Sequence, residues 1–91
     1  MAVHYLVQEV FPGATGGPRI SGLLLDGVIT DGQTLVVAGT GTTVRVLSFD
    51  LHARQTDRGL LLGLLVHPED APAVTVGSAL ISPPGSRPTL G

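Results

Sequence analysis

Serine, histidine and aspartate all occur in this chain, the residue types from which a nucleophilic hydrolase site is assembled. A catalytic serine needs a strained strand-to-helix elbow between glycines. Ser21 instead sits in Arg19-Ile20-Ser21-Gly22, inside an extended pattern. A hydrolase would need the tertiary structure to bring His52 or His67 to a serine in a cleft. Glu69-Asp70 is the only adjacent carboxylate pair, and it follows Pro68 in a loop where capping a turn is the ordinary task. Catalytic carboxylates face one another across a cleft with separated pKa values. His4, His52 and His67 lie far apart in sequence, with no pair at the spacing of a helical or loop zinc site, and read as isolated histidines. The run Gly27-Val28-Ile29-Thr30-Asp31-Gly32-Gln33-Thr34 spaces its glycines like a phosphate-binding loop. Gln33 stands where the lysine is needed, and Leu35-Val36-Val37 continues as strand rather than helix. Gly39-Thr40-Gly41 likewise lacks the strand–turn–helix setting of a dinucleotide fingerprint and reads as a hairpin turn. No enzyme, cofactor or metal site is expected.

The elements that would position any site are short and β-rich, punctuated by Gly and Pro. Val3 to Phe11 alternates Val3, Tyr5 and Val7 against His4 and Gln8, a first strand. Residues 12–18 (PGATGGP) forbid regular structure, because Pro lacks the ladder N–H and Gly favours turns. Arg19–Leu25 and Gln33–Ala38 read as strands, and Asp26-Gly27 and Asp31-Gly32 as turns around Val28-Ile29. Thr42–His52 is the longest strand candidate, and its apolar phase shifts from Val44 and Val46 to Leu47, Phe49 and Leu51, which predicts a bulge or a barrel bend. Arg58–Val66 is leucine-rich, but Gly59 and Gly63 would each cost a helix about 1 kcal/mol relative to Ala. It reads as a strand buried on both sides. Residues 67–72 form a loop with room for one helical turn, and Ser78–Ser82 the last strand, with Val74–Val76 leading into it. Six or so strands and no helix predict an all-β fold, a small closed Greek-key-type barrel of about six to seven strands. Residues 1–83 form its single domain and 84–91 a flexible C-terminal tail.

Composition bounds the function. A chain of 91 residues buries roughly 60–70% of its unfolded surface, enough for one core. Cysteine is absent, so that core rests on Val, Leu and Ile rather than on disulfides or thiolate zinc. There is no lysine, the net charge is −2, and Arg19, Arg45, Arg54, Arg58 and Arg87 are scattered. Phosphate backbones are bound by clustered cations, so general nucleic-acid binding is not expected. Tyr5, Phe11 and Phe49 are the only aromatic residues, too few for a base-stacking platform. No signal peptide is evident, and Leu60–Val66 falls far short of the roughly 20 residues of a membrane helix. A cytoplasmic location is expected.

Three stretches, in order, resemble the second, β-barrel domain of elongation factor Tu and related translational GTPases. Residues 17–35 (GPRISGLLLDGVITDGQTL), with Val10-Phe11 before them, are similar to the family's G-x-V-x-x-G-x-V-x-x-G-x-I-x-x-G-D-x-V run. Residues 46–52 (VLSFDLH) resemble its V-x-S-I-E-x-H strand. Gly59–Val66, then Glu69-Asp70 to Ile81, resemble its G-D-x-V-x-L-x-L strand and closing stretch. The similarity spans Tyr5 to Pro84. It implies a barrel whose family role is that of spacer and docking surface. Where elongation factor Tu has an Arg and a Glu that meet the G domain and charged tRNA, this chain has Leu23 and Leu25. Leu60 stands where the family has Asp. These residues include no G domain, so no GTPase activity is expected on this chain.

Leu23 and Leu25 alternate with Leu24, so one pleat face presents leucines outward unless both faces are covered. Leu23 and Leu25 are therefore expected to dock a protein partner or a second copy. The expected function is a non-catalytic β-barrel interaction module. The alternative is an RNA- or ribosome-contacting accessory protein of translation.

Overall fold

A computed structural model describes residues 2–11, 13, 17–49 and 53–83. Seven strands follow one another: β1 (His4–Phe11), β2 (Arg19–Asp26), β3 (Thr34–Val37), β4 (Thr43–Phe49), β5 (Arg54–Thr56), β6 (Gly59–Val66) and β7 (Ala79–Ile81). Among the described residues one 3-10 turn, Ala71–Ala73, lies between β6 and β7. The strands are hydrogen-bonded in the order β2-β1-β7-β3-β4-β6-β5, every pairing antiparallel, and a further pairing of β2 with β6 closes six of them into a barrel. The all-β barrel expected from the sequence is present. The expected tail at 84–91 and the continuation of β4 to His52 lie outside the described residues.

The alternation that announces β1 also builds the core. Tyr5 and Val7 point inward with Val3 just before them, and Ile20, Leu35, Val44, Val46, Leu64, Val66 and Leu80 meet them, all buried. Each such side chain contributes on the order of 1.5–3 kcal/mol by leaving water. No polar or charged residue is buried among the described residues. Tyr5 is the core's one aromatic, and its hydroxyl donates to the Leu62 carbonyl, tying β1 to β6 through the interior.

Gly22 explains how β1 and β2 pack so closely. A Cβ there would overlap the Leu6 carbonyl oxygen and stand 2.9 Å from the Leu6 carbonyl carbon and from Tyr5 Cε1. The register of β1 on β2 slips between Val7 and Glu9, beside this contact, so a bulge and a missing side chain together bend the sheet. The bulge predicted in the fourth strand is also found: register slips between Val46 and Ser48, which turns Leu47 out to solvent at 43% exposure.

One reading of the sequence is corrected, and the extra strand within the expected six to seven is located. Leu60–Val66 is not buried on both sides: Leu62, Leu64 and Val66 are buried in the barrel, while Leu61, Gly63 and Leu65 are half-buried on its outer face. A seventh strand, β5, occupies Arg54–Thr56, where a polar tripeptide gives no alternation to read. It continues the line of β4 along one edge of β6, pairing with Gly59–Leu61 while β4 pairs with Leu64–Val66.

Candidate interaction face

The outer faces of β1, β2 and β6 form rungs set by strand register. Leu6, Leu23 and Leu61 are cross-strand partners in one rung, extended by Ala79 on β7 and Arg54 on β5. Flanked on both sides, Leu23 is only 5% exposed. That corrects the expectation of two outward leucines forming one patch: Leu23 points away from the core cluster yet is covered by its cross-strand neighbours. Leu25, two residues on, is 42% exposed.

The β5–β6 hairpin divides the two residues. Thr56 and Gly59 pair at its tip, and the Thr56 hydroxyl donates to the Gly59 carbonyl at 2.6 Å and accepts from the Arg58 N–H at 3.2 Å. Gly59 has φ +146°, and a Cβ there would stand 2.7 Å from the Leu24 carbonyl oxygen and 3.3 Å from Leu25 Cδ2. The hairpin thus presses against β2 where only glycine fits. On one side, Leu23 floors a shallow groove of about 340 Å³ walled by Gln8, Thr56, Asp57, Arg58 and Leu61. On the other, Leu25 lines a groove of about 350 Å³ with Leu24, Asp26, Gly27, Gln55, Gly59 and Leu60. Each sets leucine side chains among polar groups, the Leu25 groove being the more polar of the two, an arrangement that can hold an apolar side chain of a partner while its backbone finds hydrogen bonds nearby.

The other residues singled out for chemistry are dispersed. His4 begins β1 beside Asp26 and Ile81, whereas His67 follows β6 at the opposite end, its Nδ1 accepting the Glu69 N–H at 3.1 Å. His52 lies outside the described residues. Among the described residues no three His, Asp or Glu side chains converge as metal ligands. Ser21 faces outward between Glu9 and Gly63. The Gly27–Thr34 run is a turn entering β3: the Gln33 side-chain carbonyl accepts the Thr30 N–H at 2.9 Å, and the Gly32 N–H donates to Val46 at 2.9 Å. Gly39-Thr40-Gly41 is the β3–β4 turn, with the Gly41 N–H on the Val37 carbonyl at 2.8 Å.

Asp70 has a definite partner that its neighbours in sequence do not reveal. Its carboxylate accepts the backbone N–H of Arg45 at 2.9 Å and the guanidinium Nε at 2.8 Å, and Arg45 also reaches Glu69 at 3.6 Å. Those guanidinium hydrogen bonds hold the Asp70 carboxyl below its ordinary range and raise Arg45. The clasp fixes the loop after β6 to β4. The chain matches no family model and no curated protein.

Proposed function

We propose that this chain is a non-catalytic β-barrel interaction module of the kind its resemblance to domain 2 of translational GTPases implies, docking a protein partner through the face around Leu25. The observation that carries the reading is the pair of grooves on either side of the β5–β6 hairpin, one floored by Leu23 and the other lined by a 42%-exposed Leu25. Large apolar side chains at the centre of a patch with polar rims are the usual anchors of protein docking. Among the described residues, Ser21, His4, His67 and the Glu69-Asp70 pair stand apart, which favours binding over catalysis.

Site-specific photocrosslinking in cells from position 55, which lines the same groove as Leu25, read with and without Leu25→Asp, tests this. A protein adduct that the substitution removes, and that persists as salt rises, supports the proposal. Apolar docking is little screened, whereas electrostatic contact with RNA weakens steeply with salt. Adducts to ribosomal RNA that vanish at high salt would favour the RNA- or ribosome-contacting alternative. Adducts indifferent to Leu25→Asp would refute docking at this face.

A further inference from the structure

At the end of the barrel remote from His4, an apolar cleft of about 500 Å³ is lined by Val10, Pro18, Pro68, Ala71, Pro72 and Val74. Its walls are held in place. The prolines fix their own backbone angles, Val74 is buried, and the Asp70, Ala73 and Val74 N–H groups are satisfied within the loop. Asp70 is clasped by Arg45. Next to Val10, on the outer face, stands Phe11, 44% exposed and partnered across the strands with Arg19. The chain therefore carries an apolar hole and an aromatic knob side by side.

From this juxtaposition we infer that the cleft is filled by Phe11 of a second copy, in a two-fold symmetric dimer. A two-fold axis passing between knob and hole seats each Phe11 in the other copy's cleft, as an isologous interface requires. The charges agree with that geometry. Arg19 stands on the Phe11 side, next to Pro18, and forms no ion pair among the described residues. Glu69 follows the cleft-lining Pro68, with its side chain 79% exposed and only a 3.6 Å contact to an Arg45 already engaged by Asp70. In the dimer inferred here, Arg19 of one copy pairs with Glu69 of the other, twice over. An aromatic anchor in an apolar pocket supplies affinity, and rim charges fix orientation. This surface is distinct from the Leu25 face, so the failure of one reading leaves the other standing.

Sedimentation velocity on the full chain, from micromolar to several hundred micromolar, gives the first test. A monomer–dimer equilibrium is expected, weakened at least about tenfold by Phe11→Asp. Arg19→Glu or Glu69→Arg alone breaks two symmetric pairs and should weaken it by roughly three- to tenfold, while the double reversal restores it. Circular dichroism and thermal melting show that each variant is folded. Because the chain contains no cysteine, engineered cysteines give a second test, read at the high end of the concentration range since Phe11→Cys removes one of the two knobs. Chains bearing Phe11→Cys, mixed with chains bearing Ala71→Cys, should form the mixed disulfide in preference to either homodisulfide. A wild-type chain that stays monomeric throughout overturns the inference and leaves the cleft to a different partner. So does a dimer insensitive to Phe11→Asp, a double reversal that restores nothing, or the lack of a mixed disulfide.

Discussion

Replacing Gly22 by alanine adds one methyl group and should remove a large part of the fold's stability. The added carbon would overlap the Leu6 carbonyl oxygen and lie 2.9 Å from two carbons, one in the β1 backbone and one in the Tyr5 ring. Neither is the loose end of a flexible side chain. Ordinary carbon–carbon contact begins near 3.5 Å, so β1 and β2 must separate by roughly half an ångström or more. Disturbing about two ladder hydrogen bonds costs near 1 kcal/mol each, and overpacking against Tyr5 adds about 1–3 kcal/mol. The sum, about 3–5 kcal/mol, compares with roughly 5–14 kcal/mol for a whole domain of this size. Thermal denaturation followed by circular dichroism should show Tm falling by roughly 15–30 °C. Gly32→Ala is the control. Gly32 has φ +78° but nothing within 4 Å of its Cβ position, so alanine there meets only backbone strain, about 1–2 kcal/mol. If the two variants melt together, the close approach of β1 and β2 at Gly22 is wrong.

Two further predictions concern pH. Tyr5 is the only tyrosine, and burial pushes its phenol above its ordinary value. A raised folded-state value stabilises the fold below the ordinary pKa near 10 and loses that contribution as pH rises beyond it. Absorbance at 295 nm should therefore stay flat past pH 10 and rise only as the protein unfolds; ionisation in the folded state near 10 would contradict the burial. Tyr5→Phe should cost about 1–3 kcal/mol in urea denaturation, because the Leu62 carbonyl is left without its donor. Asp70 behaves in the opposite sense. Its folded-state value is lowered by the Arg45 guanidinium, so its contribution is present above the ordinary carboxylate value near 3.9 and disappears as pH falls below it. Asp70→Asn should lower Tm modestly at neutral pH and flatten its fall between pH 5 and 2; an unchanged acid limb would show that the clasp contributes nothing.

What could be read from the sequence follows from how local each signal is. Tyr5 and Val7 alternate with polar neighbours, and their strand reads directly. Gly59 and Gly63 tell a strand from a helix in Arg58–Val66 because their cost to a helix does not depend on what packs around them. The shift of apolar phase within β4 showed its bulge for the same reason. What was not legible is set by distant partners. Arg54–Thr56 becomes a strand only because β6 offers it an edge. Leu23 looked like an exposed leucine because its cover, Leu6 and Leu61, comes from two other strands. Asp70 looked like a turn cap, and its partner Arg45 lies in another strand of the barrel. Phe11 and the proline cleft come together only when the end of β1 is folded against the loop after β6.

Closure of the barrel limits how any partner can be held. Six strands have neighbours on both sides, so their ladder groups are largely spent within the molecule, and an added partner strand finds little edge to extend. The seventh, β5, is three residues long, pairs with β6 alone among the described residues, and carries Arg54, a short and charged edge of the sort that discourages strand addition. The two proposed sites accordingly use side chains standing off the barrel: Leu25 and its groove on the wall, Phe11 and its cleft at the end. One site lies where Gly59 packs close against β2, and the other among prolines and beside the Arg45–Asp70 clasp. Little ordering entropy remains to be lost when they are filled, so small patches of this kind can bind with useful affinity despite their size.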